Sequence, residues 1–159
     1  MRLYSLVIMN AMAVTFLGLL AGVFLVFSLL EAVTLWPLPV WEVQVPGSTR
    51  GWQAAHVGGI LNGVMVAVVA LVMRSLDMSG RSETWSAWGL IVTGWGNTLF
   101  YWAGNLSHNR GLSMTETPFG QGDVWGGLAY LGGGVAMFFT FAVVILVGLA
   151  AFERFKESS

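Results

Sequence analysis

WQAAHVGGILNGVMVAVVALVM, residues 52–73, is apolar enough to lie in a lipid bilayer, yet it carries an imidazole at His56 and a carboxamide at Asn62. At 1.5 Å per residue it can cross the roughly 30 Å of a hydrocarbon core as a helix. Three more apolar runs of comparable length follow the same pattern, giving spans over about 4–30, 52–76, 84–106 and 124–152. None alternates polar and apolar residues as a barrel strand would, and helices and closed barrels are the only structures that satisfy a backbone in lipid. The expected fold is therefore all-α: one integral membrane domain over residues 1–159, built as a four-helix bundle. The first run is expected to remain as a span, being too long for a removable leader and preceded only by Arg2.

Composition supports this class. Of 159 residues, 56% are hydrophobic and 9% charged, against roughly 25% charged in average soluble domains. Net charge is −1 with no basic run, which argues against nucleic acid as a partner. The absence of cysteine excludes disulfides, thiolate metal sites and cysteine nucleophiles. Arg2, Arg74, Arg81, Arg154 and Lys156 flank the spans on one side, Arg50 and Arg110 on the other. The positive-inside bias then puts both termini in the cytoplasm.

The segments on the terminal side are short. The two opposite loops are richer: EAVTLWPLPVWEVQVPGSTRG (31–51) is expected along the interface, with Trp36 and Trp41 at headgroup level, and SHNRGLSMTETPFGQGD (107–123) is expected to be irregular, with Asp123 capping the last helix. Glu31 and Asp123 read as membrane boundaries, and His108 as solvent-facing. Glycines 126–127 and 132–134 point to close helix approach.

The polar residues inside the membrane carry the functional question. An unpaired ionisable group in lipid is costly, so His56 is a functional candidate, for haem or metal ligation, proton relay or a ligand hydrogen bond. Gly58, Gly59 and Gly63 would admit a flat cofactor and would equally admit a neighbouring helix. Thr93, Asn97, Tyr101 and Asn105 recur every four residues and form one slowly drifting stripe. Such groups can glue helices together or line a cavity in which a phenol and two carboxamides meet an oxygen-bearing substrate. No span holds a paired carboxylate, a serine–histidine–acid set or a phosphate loop.

VPGSTRGWQAAHVGGILNGVM (45–65), GWGNTLFYWAGNLSHNRGL (94–112) and FGQGD (119–123) together resemble the styrene oxide isomerases, small bacterial membrane proteins that convert aryl epoxides to aldehydes. The resemblance covers roughly residues 42–130. It implies a four-helix protomer in the bacterial inner membrane, a homotrimer, and ferric haem b near the subunit interface. It makes His56 the axial iron ligand and Asn62, Asn97 and Tyr101 the substrate-pocket residues, with Asn105, Asn109 and Arg110 supporting the pocket or meeting haem propionates. The implied reaction is a Meinwald rearrangement of an apolar epoxide such as styrene oxide to phenylacetaldehyde. Where the family pattern carries an acidic residue two positions before the tryptophan of GW-x-N, this chain has Thr93, which cannot hold a negative charge. His56 and Asn62 lie about 120° apart around a helix, so one protomer's histidine is expected to serve its neighbour's pocket. The alternatives are a membrane haem carrier, sensor or assembly protein, which needs His56 but not the stripe, and a structural subunit, which needs neither.

Overall fold

The computed structural model describes residues 2–158. It contains four long helices: α1 (Arg2–Leu30), α2 (Thr49–Ser75), α3 (Gly80–Leu106) and α4 (Val124–Glu157). Each outruns its apolar stretch at one or both ends, because polar and charged residues extend the helices past the hydrocarbon. Ser48 begins α2 by accepting from the Gly51 amide, and Asp123 begins α4 by accepting from that of Gly126, as its position predicts. α1 ends at Glu31, whose φ of 50° breaks the helix.

Two helical hairpins, α1/α2 and α3/α4, join through the α2–α3 face, and α1 also touches α3. The loop 31–48 is not wholly irregular: β1 (Ala32–Val33) pairs antiparallel with β2 (Trp41–Glu42). Trp36 at its tip is 95% exposed, as suits a headgroup-level residue.

The helices α1, α2 and α4 are each long and apolar enough to cross a membrane. Their outer surfaces carry Phe16, Leu19, Phe138, Phe141 and Leu149, large side chains that stay exposed and need lipid around them. The protein is thus an all-α membrane protein. α3 departs from expectation: at 27 residues it is as long as α2, but Ser86, Thr93, Asn97, Thr98 and Asn105 dilute its apolar character. It packs between α2 and α4, and all of these except the half-buried Asn97 are buried.

Two apolar clusters hold the bundle. One, toward the termini, packs Val7, Val66, Ala70, Met73, Leu90 and Val143. The other, toward the loops, centres on Trp52, which stacks on Phe24 at 4.8 Å and meets Trp102 edge-on at 5.2 Å. Between the clusters along α2 and α3 lies a polar layer of Asn62, Gly94 and Asn97.

α1 and α2 approach until their backbones touch. A Cβ on Gly59 would come within 2.7 Å of the Gly18 Cα, and one on Gly63 would strike Thr15 and the Ala11 carbonyl. Gly59 and Gly63 therefore serve packing against α1, where Gly59 meets Gly18, a residue that the apolar reading of α1 passes over. Gly59→Val should lower stability by about 1–3 kcal/mol through overpacking. Gly134→Val, where nothing lies within 4 Å, should not; thermal unfolding of both variants in detergent checks the pair.

Candidate functional site

His56 projects from α2 onto α1. Its Nδ1 lies 2.9 Å from the carbonyl oxygen of Gly18, and its ring occupies the space a side chain at position 22 would need, 2.6 Å from an imagined Cβ on Gly22. A carbonyl only accepts, so Nδ1 carries the proton and donates it. The other ring nitrogen, Nε2, is left with its lone pair and has no hydrogen-bond partner among the described residues. A ring nitrogen oriented this way by a backbone acceptor is the arrangement that metal-ligating histidines adopt. The residue is half-buried, at the lateral surface of the α1/α2 pair. This nitrogen could hold a haem iron or another metal.

The stripe on α3 does not act as one surface. Asn62, buried in α2, donates from Nδ2 to the Gly94 carbonyl at 2.9 Å and accepts at Oδ1 from Asn97 Nδ2 at 3.1 Å. These bonds bind α2 to α3, as interhelical glue would, and among the described residues they leave Asn97 Oδ1 without a partner. Tyr101 lies across α2 at Gly58, where a Cβ would strike its ring, and among the described residues its hydroxyl has no partner. Thr93 turns the other way. It is fully buried against α4, accepting from Thr140 Oγ1 at 3.1 Å, and so does not support the pocket. Four-residue steps drift about 40° each at 3.6 residues per turn, and over three steps that drift separates Thr93 from the α2-facing residues.

Around α2, His56 and the Tyr101-bearing flank at Gly58 stand about 160° apart. Within one chain the imidazole faces α1 while the phenol and the free Asn97 oxygen lie on the α3 side.

Near the loops a cavity of ≈ 530 Å³ reaches Tyr101; Ser48, Gly51, Asn105, Arg110 and Phe119 also line it. Asn105 accepts at Oδ1 from both the amide and the hydroxyl of Ser48, at 2.8 and 3.2 Å, so it fixes the start of α2. Gly47 and Gly51 make room for it. Asn109 is not a pocket residue. Fully buried, it donates to the Ser113 and Thr115 carbonyls and accepts from Gly111 N and Ser107 Oγ, which organises the loop and saturates its amide. Arg110 reaches the cavity with its guanidinium 4.6 Å above the Phe119 ring. His108 is exposed, as expected, but its Nδ1 meets Asp123 Oδ2 at 2.7 Å. The residues that sequence reasoning passed over, Gly18, Gly22, Ser48, Phe100 and Phe119, act through backbone proximity or across loops; only the four-residue spacing of Gly18 and Gly22 was visible beforehand.

The amide of His108, then that of Gly126, hold the Asp123 carboxyl below its ordinary value of 3.8. A depressed folded-state pKa adds stability that is full above the unfolded value and is lost as pH falls through the folded one. Asp123→Asn should therefore lower the unfolding temperature at pH 7. Its deficit against the parent should shrink only below about pH 4, as thermal melts across pH 3–7 would record.

A family model described as styrene oxide isomerase matches residues 3–152. The chain is also similar to a styrene-oxide isomerase of Pseudomonas fluorescens, with 40% identity over 126 residues that cover 77% of this chain and 75% of that one. The matched residues take in nearly all of the four helices, with His56 and the α2–α3 polar layer. The chain belongs to the styrene oxide isomerase family.

Proposed function

We propose that this isomerase converts an aryl epoxide such as styrene oxide to phenylacetaldehyde by a Meinwald rearrangement, with ferric haem b held by His56. The observation that carries the reading is the state of that imidazole: Nδ1 bound to Gly18, and Nε2 without a partner among the described residues. When bound, ferric haem supplies a Lewis acid toward the epoxide oxygen.

The rearrangement is redox-neutral. The benzylic C–O bond breaks, a hydride moves from the terminal carbon to the benzylic carbon, and the oxygen remains on the terminal carbon as the aldehyde. The chain's own groups hold the substrate and match the charge that develops. The Tyr101 hydroxyl donates to the substrate oxygen as negative charge grows there. Asn62 accepts from Asn97 Nδ2 and so leaves Asn97 Oδ1 to meet the positive charge that grows at the benzylic carbon. With Thr93 bonded to α4, the cation is met by this carboxamide dipole rather than by a carboxylate. Surrounding lipid and apolar side chains exclude water, which would otherwise open the epoxide to a diol.

His56 and Tyr101 lie on opposite flanks of α2, so a complete site requires His56 of one copy and the pocket of the next. A homotrimer with haem at each subunit interface meets that requirement. The protein resides in the bacterial inner membrane with both termini cytoplasmic, and its apolar substrate arrives through the lipid.

Absorption spectra and turnover of the purified protein test this. His56→Ala should lose both the Soret band and activity. Tyr101→Phe should keep the band while kcat falls about 100-fold. A Tyr101→Phe variant with full turnover overturns the role of the phenol, and a His56→Ala variant with full haem overturns the ligand.

A further inference from the structure

One face of α2 stays uncovered among the described residues. Ala54, Val57, Leu61, Val64, Val68 and Leu71 follow one another at alternating steps of three and four, and each is exposed. Such steps keep a stripe aligned along a left-handed contact between helices. Spacing alone does not single α2 out, because α1 shows the same steps from Met9 to Val26. Composition does. The outer face of α1 carries Met9, Met12 and Phe16 and that of α4 carries Phe138 and Phe141, whereas the α2 stripe holds no methionine and no aromatic residue. Alanine has no rotamers to lose and valine few, so the stripe can pack on another helix at small entropic cost. Small side chains are also what contacts between helices in lipid favour.

The surroundings of the stripe narrow its occupant to a second copy of this chain. His56 and Gly58 are the chain neighbours of Val57 and stand about 100° to either side of it. On one flank His56 turns toward α1; on the other Tyr101 crosses α2 at Gly58. Ala54 belongs to the stripe and also lines the cavity that reaches Tyr101, so that cavity opens on this face. Any rotation axis along the membrane normal that sets two stripes against each other brings the His56 flank of one copy beside the Tyr101 flank of the next. Lipid on the stripe would leave the two flanks apart and the cavity open.

We infer that the α2 stripe is the contact between copies: neighbouring α2 helices pack stripe on stripe, and the two halves of the site close beside the seam. The shared site of His56 and Tyr101 requires a second copy, and this assignment rests on that requirement. It leaves the outer faces of α1 and α4, with their long and aromatic side chains, to lipid. The partner's helix then covers the mouth beside Ala54 and keeps water and lipid out of it.

The chain has no cysteine, so single cysteines report the seam directly. Val57→Cys, Leu61→Cys, Val64→Cys and Val68→Cys, oxidised in intact membranes, should form disulfide-linked pairs, which need Cα atoms within about 7 Å of each other. Phe16→Cys and Phe138→Cys, on the outer faces of α1 and α4, should not. Their depth is comparable, since Gly18 meets Gly59 and Thr93 reaches Ala136. In detergent, light scattering should give a multiple of the monomer mass. Leu61→Trp, at a position 63% exposed in the single chain, should release monomers, and Phe16→Trp should not. Crosslinking needs no haem, so the pairs should persist in a His56→Ala background even if the ligand assignment fails. Pairs confined to the stripe, with monomers released by Leu61→Trp, support the seam. A monomeric parent, no pairs on the stripe, pairs lost with His56→Ala, equally strong pairs at positions 16 or 138, or an assembly indifferent to Leu61→Trp overturns it.

Discussion

The contact between Gly18 and Gly59 is the constraint on which the rest depends. Lipid offers no hydrophobic drive between helices, so α1 and α2 associate by close van der Waals approach, which only glycines on both sides permit. That approach brings the Gly18 carbonyl within reach of the His56 ring, and Gly22, one turn on, gives the ring its space. The residue that lets the helices touch thus also orients the imidazole. A larger side chain at position 18 or 22 would separate the helices or displace the ring, and in either case Nδ1 would lose its acceptor.

On the other flank of α2, polarity does what small size does on the first. Asn62 links α2 to α3 by donating to the Gly94 carbonyl and accepting from Asn97, between the two apolar clusters. Further along, Asn105 ties the end of α3 to the start of α2 through Ser48, Asn109 organises the following loop, and the His108–Asp123 pair ties that loop to the start of α4. The polar side chains that make α3 too hydrophilic to pass as a span on composition are largely those that hold it in place. Being bonded inward, they cost the membrane little.

The division between scaffold and site follows from which polar atoms remain free. Asn62, Thr93 and Asn109 use their hydrogen-bonding capacity within the chain, and their roles are architectural. The Tyr101 hydroxyl, Asn97 Oδ1 and His56 Nε2 keep theirs. These are the atoms with something to offer a substrate or cofactor, and they lie on two sides of one helix.

Helix count, helix placement and the identity of the lone intramembrane histidine were legible in the sequence, because each depends on local composition and on the length needed to cross hydrocarbon. The Asp123 cap was legible too, since a capping carboxylate acts within one turn. The four-residue stripe on α3 was legible as a pattern but not as a surface. Whether Thr93 or Asn97 faces a pocket depends on how α2 and α4 pack against α3, and nothing in the spacing states that. The same holds for the glycines of α2, which suited a flat cofactor and a neighbouring helix equally well until α1 was seen against them. The sequence by itself determined an all-α membrane protein with His56 inside it. Only the tertiary structure decided which way His56 points, which of its nitrogens stays free and which carboxamides are already bonded, because those depend on contacts between residues as far as 57 positions apart.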